Sequence, residues 1–312
     1  MTVLAVFPDL FLSSFIDGLV LFGSAVLPAL FPFMFLTKTL TDLGLVETLV
    51  SKLDKPFFSI FRAPAVGLYI FLMSAVCGYP VGTKVMSDIA QAKSLTKSQT
   101  EQLLPFCSTS GPLFVVGTVG TQMFSNKMLG FVVFGIHLLA CILCALFIGW
   151  VRYFFSKHKQ KQNPQPSNPP VPLDNILSKN MIDTCQSILI VGGFVSTFYL
   201  LIDILCRFGI LMPLNKLFSF FLKSVGLDTS LSTGLATGFV EMTRGCRDVS
   251  LVPTSAATPI ALVAIITFSG LSILMQSWAF LSKANVSFKK FLGIKLLQTT
   301  FAVLIALPIF LI

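Results

Sequence analysis

"SAVCGYPVGTK", residues 74–84, decides how this chain is read. It closes an apolar run of thirteen residues, Val66 to Gly78, that has the composition of a membrane helix but not the length. Thirteen helical residues reach roughly 20 Å, about two thirds of a hydrocarbon core of roughly 30 Å. A chain turning at that depth bares backbone N–H and C=O groups, which lipid does not tolerate, so protein or a water-filled cavity must cover them. Gly78, Pro80 and Gly82, with Tyr79 among them, permit the turn sterically. The run is read as one arm of a re-entrant hairpin, 65–92, whose tip is a candidate binding element. A kinked helix or an interfacial loop is the alternative that hydropathy alone leaves open.

The whole composition agrees with a bilayer. Of 312 residues 54% are hydrophobic and only 11% charged, with a mean hydropathy of +0.87, against about 25% charged in soluble domains. The formal charge of +9 is spread between apolar segments rather than gathered in one patch, so the expected partner is the lipid bilayer and not nucleic acid. No Lys or Arg precedes Lys38, so the basic region of a cleavable signal is missing. Cys141 and Cys144 form a CxxC inside an apolar helix with no second ligand pair; they are read as packing residues, and no metal or cofactor is expected. His137, in the same helix, is read as a hydrogen-bonded interior residue. No HExxH, GxSxG or usefully spaced carboxylate pair occurs, so no enzyme is expected.

Five stretches, 10–37, 127–153, 181–206, 258–281 and 288–312, are long enough to span at about 20 residues each. A sixth, 98–124, is interrupted at "CSTSGP", and a second short run, 229–240, opens a hairpin over 229–257. A basic, proline-rich linker, 156–180, separates a first half, 1–155, from a second, 181–312. The halves look alike. "CSTSGPLF" at 107–114 returns as "ITFSGLSI" at 266–273, and "GYPVG" at 78–82 aligns with "EMTRG" at 241–245, offsets of 159 and 163. Amphipathic stretches at 43–61 and 213–226 precede the two hairpins. The expected fold is therefore an all-α polytopic membrane protein of two inverted repeats. Each holds spanning helices, a re-entrant helical hairpin and a broken transmembrane helix, 98–124 in the first and 258–281 in the second. With the N-terminus outside, fourteen Lys and Arg fall inside, including Lys38, Lys52, Arg62, Lys93, Arg152, Lys157, Lys159, Lys161 and Lys290; Lys127, Arg207, Lys216 and Lys223 fall outside. That asymmetry makes the linker cytoplasmic.

Lys84, Arg244, Arg247 and Lys295 fall at the hairpins or within a span, where a charge costs about 2.5–3.5 kcal/mol on insertion scales. They either pair internally, Glu241 with Arg244 or Arg247 with Asp248, or Lys84 and an arginine face a shared cavity and meet an anionic substrate. Glu241 or Asp88 is a candidate to carry a proton or hold a cation, with Na+ or H+ as the coupling ion. Ser108, Thr109, Ser110 and Ser269 bind substrate or sodium, or cap broken helix ends; Gly111 and Thr243 belong to the same motifs. Lys295 snorkels or pairs and receives no role.

"CGYPVGTKVMSDI", "LLPFCSTSGPLFVVGTVGTQMF" and "GFVEMTRGC" together resemble the YlbJ sporulation integral membrane proteins, also called SpoVV, within the wider set carrying a nucleoside-recognition Gate domain. The likeness covers roughly residues 20 to 310. The family's SG motif is usually richer in asparagine than "STSG". The resemblance implies a fold similar to concentrative nucleoside transporters, a role in spore formation, and movement of dipicolinic acid across the outer forespore membrane. Carriers of that fold are often oligomers, so a homo-oligomer is expected by analogy. The leading expectation is a secondary transporter of a small organic anion. The others are a nucleoside or nucleobase carrier of the same fold and a non-transporting membrane scaffold.

Overall fold

The computed structural model describes residues 8–92, 95–155 and 173–311, which are helical with no strand among them. The first half begins with α1 (Pro8–Leu21), a π-helical turn (Phe22–Val26) and α2 (Leu27–Asp42), bent by 50° where one expected span, 10–37, was read. Then follow α3 (Leu45–Phe61), α4 (Val66–Cys77) and α5 (Val81–Ala92). The chain turns by 81° between α3 and α4, so the amphipathic helix lies across the direction in which the apolar one enters. Next come α6 (Lys97–Leu103), a 3-10 turn (Leu104–Phe106), a π-helical segment (Leu113–Met123) and the 29-residue α7 (Lys127–Phe155). The second half holds α8 (Leu173–Arg207), α9 (Met212–Ser224), a 3-10 turn (Thr229–Leu231), α10 (Ser232–Val240), α11 (Met242–Ser250), α12 (Thr258–Phe268), α13 (Gly270–Leu281) and α14 (Phe288–Leu311). Of the expected linker, 156–172 lies outside the described residues, with Lys157, Lys159 and Lys161; so does Lys93, and the Lys52 side chain. Residues 173–180, read as the end of the linker, form the first turns of α8.

Local chemistry explains the starts and stops. Thr96 and Gln99 make a reciprocal capping box that starts α6. Pro259 stands in the first turn of α12, where its missing N–H costs nothing. Ser269 and Gly270 both take left-handed backbone, φ 73° and 71°, and so end α12 and begin α13. Gly111 and Pro112 separate the 3-10 turn from the π-helical segment, whose 5-residue bonding shows in Phe124 N–H donating to Val119 O.

Packing places these broken helices at the centre. The stretch Thr258–Ala284 has 78% of its most apolar window buried in protein, against 22–39% for α7, α8 and α14. The outer helices instead show large apolar side chains outward, such as Leu189, Phe147 and Leu304, as a lipid solvent requires. α4 and α5 fold back on each other, as do α10 and α11. α5 packs on α13, and α11 packs on α12. Two apolar clusters result. One gathers Tyr69, Met86, Phe106 and Phe280 around the first hairpin, and the other gathers Val115, Met242, Leu262 and Ile266 around the second.

Candidate functional site

Each hairpin tip rests on a helix break. In the first half Gly78, with φ 79°, lies against Gly111, where a Cβ on Gly78 would come 2.7 Å from the Gly111 nitrogen. Only glycine allows both the backbone angle and that approach. Ser74 Oγ on α4 accepts the Thr109 N–H at 3.0 Å and bonds the Thr109 hydroxyl at 2.8 Å. Gly82 closes on Ser74 and on the Cys107 carbonyl. In the second half a Cβ on Gly270 would come 3.0 Å from the Gly238 carbonyl oxygen and from the Met242 nitrogen. Glu241 is the cap of α11, accepting the N–H groups of Thr243 at 3.0 Å and Arg244 at 2.6 Å. Ser269 Oγ donates to the Phe268 carbonyl at 2.5 Å.

The two breaks meet through the last long helix of each half. His137 on α7 accepts the Ser110 N–H on Nε2 at 2.9 Å and stands 2.9 Å from Thr267 Oγ1 through Nδ1. Because Nε2 accepts, the neutral ring's proton is assigned to Nδ1, which donates to Thr267. Lys295 on α14 donates to Tyr79 Oη at 3.0 Å and to the Ser108 carbonyl at 3.2 Å. Tyr79 Oη in turn donates to the Ile266 carbonyl at 3.1 Å, and Gln298 Nε2 donates to the Pro105 carbonyl at 2.9 Å. Backbone groups freed by both breaks thus find side-chain partners in the interior, as buried polar backbone demands.

The tip cations lie elsewhere. Lys84 bonds both oxygens of Asp88 at 2.6 Å; Lys38 lies 3.3 Å from Asp42 and 4.0 Å from Asp88. Lys38, Lys84 and Asp88 line a narrow open cleft with Thr37, Thr41, Asp183, Thr184 and Ser187. Its two lysines and two aspartates cancel in formal charge. Arg244 pairs with Asp248 at 3.4 Å, and Asp248 also accepts the Thr237 hydroxyl at 2.7 Å. Arg244 and Asp248 lie within electrostatic reach of Cys206 on α8. Since 1.5 Å per residue puts Asp183 and Asp203 about 30 Å apart along that helix, Lys84 and Arg244 stand toward opposite ends of α8. The residues brought together at the centre are Gly78, Tyr79, Pro80, Gly82, Ser108, Thr109, Ser110, Gly111 and Ser269. Lys84 and Asp88 sit in the cleft, and Glu241, Thr243 and Arg244 sit at the second tip.

Ser74, His137, Thr267, Lys295 and Gln298 are the central residues to which sequence reading gave no site role. One repeat spacing, near 160 residues, carries a signal for two of them. Thr83-Lys84 with Asp88 returns as Thr243-Arg244 with Asp248 after 160 residues, and His137 and Lys295 stand 158 residues apart.

Among the described residues four helices are long and apolar enough to cross a bilayer, or up to six if each bent pair is one span, which defines an α-helical polytopic membrane protein. The chain is 30% identical over a 309-residue alignment, covering 91% of its length and 74% of the relative's, to the sporulation integral membrane protein YlbJ of Bacillus subtilis (strain 168). It belongs to the YlbJ family of sporulation integral membrane proteins. No family model matches it, and no solved structure does.

Proposed function

We propose that the chain is a secondary transporter of a small organic anion, dipicolinic acid during spore formation, working by alternating access around its two hairpin tips, with no catalytic chemistry of its own. The observation that carries the reading is the pairing of each tip with a break, Gly78 on Gly111 and Gly270 on the Val240–Met242 turn, in two halves of the same order. That order supports inverted repeats, 1–155 and 181–312, and a likeness to concentrative nucleoside transporters of the Gate-domain set. Kinship with a sporulation membrane protein supports the outer forespore membrane as the place of work. The gathering of Arg62, Arg152 and Lys290 around Trp150 and Glu101 supports an inner face at the end of α7, with the N-terminus outside. Lys38 and Lys84 bring two ammonium groups to the cleft, where a dianion would take the place of the aspartates that now pair with them.

A second reading, a nucleoside or nucleobase carrier, is favoured by one observation: Lys84 and Arg244 already have carboxylate partners, so a neutral solute leaves them undisturbed. Flux of dipicolinate and of uridine into proteoliposomes, with Lys84→Ala beside the natural protein, separates the two. Dipicolinate flux that the substitution abolishes supports the anion carrier. Uridine flux that survives it selects the second reading. Absence of both fluxes sinks transport and leaves a scaffold role.

A further inference from the structure

Lys295 has no exposed surface and forms no ion pair among the described residues. Burying an ammonium without a counter-charge is unfavourable unless oxygens replace its water. The oxygens here come from separate parts of the chain. Tyr79 Oη, at the first hairpin tip, and Ser108 O, at the first break, lie 3.0 and 3.2 Å away. The Tyr79 ring adds its negative face with its centroid 4.8 Å from Nζ. Ser108 Oγ, on a residue whose carbonyl already holds the amine, is buried and has no hydrogen-bond partner among the described residues; neither has Gln298 Oε1, about one turn along α14. The ionisable groups that face Lys295 are Tyr79, Cys107, Cys141, Cys144 and His137, none of them a carboxylate. The packed helices α12 and α13 contain no ionisable side chain at all.

Two neutral oxygens and an aromatic face on the amine, two unpartnered buried oxygens on Ser108 and Gln298, and no acid beside them make an uncharged, oxygen-lined place suited to a monovalent cation. We propose that the Lys295 ammonium is that cation: a tethered ion that fills a cation site between the first hairpin tip and the first break, so that no free sodium ion binds there. One consequence rests on the carrier reading above, namely that sodium is not the coupling ion at this place.

Thermal unfolding of the purified protein in detergent tests the site itself. The natural protein is expected to melt at the same temperature in sodium chloride and in choline chloride. Lys295→Ala, which removes the equivalent of propylammonium, is expected to melt lower in choline. It should regain about 2–4 °C when propylammonium or sodium replaces the choline. Stabilisation of the natural protein by sodium over choline overturns the proposal, and so does a variant indifferent to both small cations. Should Lys295→Ala fail to fold, Lys295→Gln removes the charge with less loss of volume, and its sodium-against-choline shift decides in the same way, beside the arm that needs no substitution. None of these measurements uses flux. A protein that carries neither dipicolinate nor uridine therefore sinks the carrier reading and leaves this test standing.

Discussion

At the scale of single residues, His137 joins parts of the chain that no helix connects. Its two nitrogens hold the Ser110 N–H and the Thr267 hydroxyl, both buried. His137→Phe fills the same space and leaves both groups unpaired, at about 1–3 kcal/mol for each. Denaturant unfolding in detergent should show that loss. Thr267→Val should cost much less in the His137→Phe background than alone, since the bond it breaks is already gone. Glycines give a second contrast. A Cβ on Gly82 runs into Ser74 and the Cys107 carbonyl, whereas one on Gly135, within α7, meets nothing within 4 Å. Gly82→Ala is expected to destabilise by about 1–3 kcal/mol through overpacking. Gly135→Ala should stabilise by about 0.5–1 kcal/mol, because a helix interior favours alanine. Midpoints measured side by side would expose the opposite signs.

At the scale of elements, α11 shows how a helix of nine residues is held. Glu241 accepts two of its free N–H groups, and Gly245 closes on the Gly238 backbone of α10. Glu241→Ala should cost about 1 kcal/mol, the ordinary worth of a cap, and speed hydrogen exchange over 242–250. Glu241→Gln, which keeps a carbonyl acceptor, should cost less. A flux lost equally in both variants would give Glu241 a charge-dependent role beyond capping. The fold-back of α4 on α5 was legible in the sequence, because a thirteen-residue apolar run ending in Gly78, Pro80 and Gly82 is too short to span and turns where glycine and proline allow. The bend between α1 and α2 was not, although Gly23, Pro28 and Pro32 lie near it, because a kinked span and a straight one share the same hydropathy. Nor was the π-helical form of 113–123, since composition is the same for i+4 and i+5 bonding. The tip charges were read either as pairs, Glu241 with Arg244 or Arg247 with Asp248, or as facing a shared cavity; Lys84 and Arg244 instead each pair with an aspartate four residues on, a spacing that puts both on one helix face. Lys295 and His137 escaped a role because their partners lie 27 to 216 residues away, and no local pattern points across such distances.

At the scale of the whole molecule, α8 is the measure of the membrane. Its 35 residues extend about 52 Å, longer than a hydrocarbon core of about 30 Å, so the helix reaches beyond it. Charged groups gather near Asp183 at one level and near Asp203 at another, with Arg207 2.9 Å from Asp203. Cys206 is exposed at the Asp203 end, while Cys107, Cys141, Cys144 and Cys246 are buried. If the stretch 156–172 is cytoplasmic, α8 runs outward and Cys206 faces the exterior. In intact cells that carry the chain in their plasma membrane with Cys185→Ser, which removes the other exposed thiol, a membrane-impermeant maleimide should therefore label Cys206. Adding Cys206→Ser should abolish the signal, and adding Gln165→Cys to that background should restore it only after the cells are opened. Labelling at position 165 in closed cells would invert the molecule. It would also put the cleft of Lys38, Lys84 and Asp88 on the outside, exchanging the sides from which a solute enters and leaves.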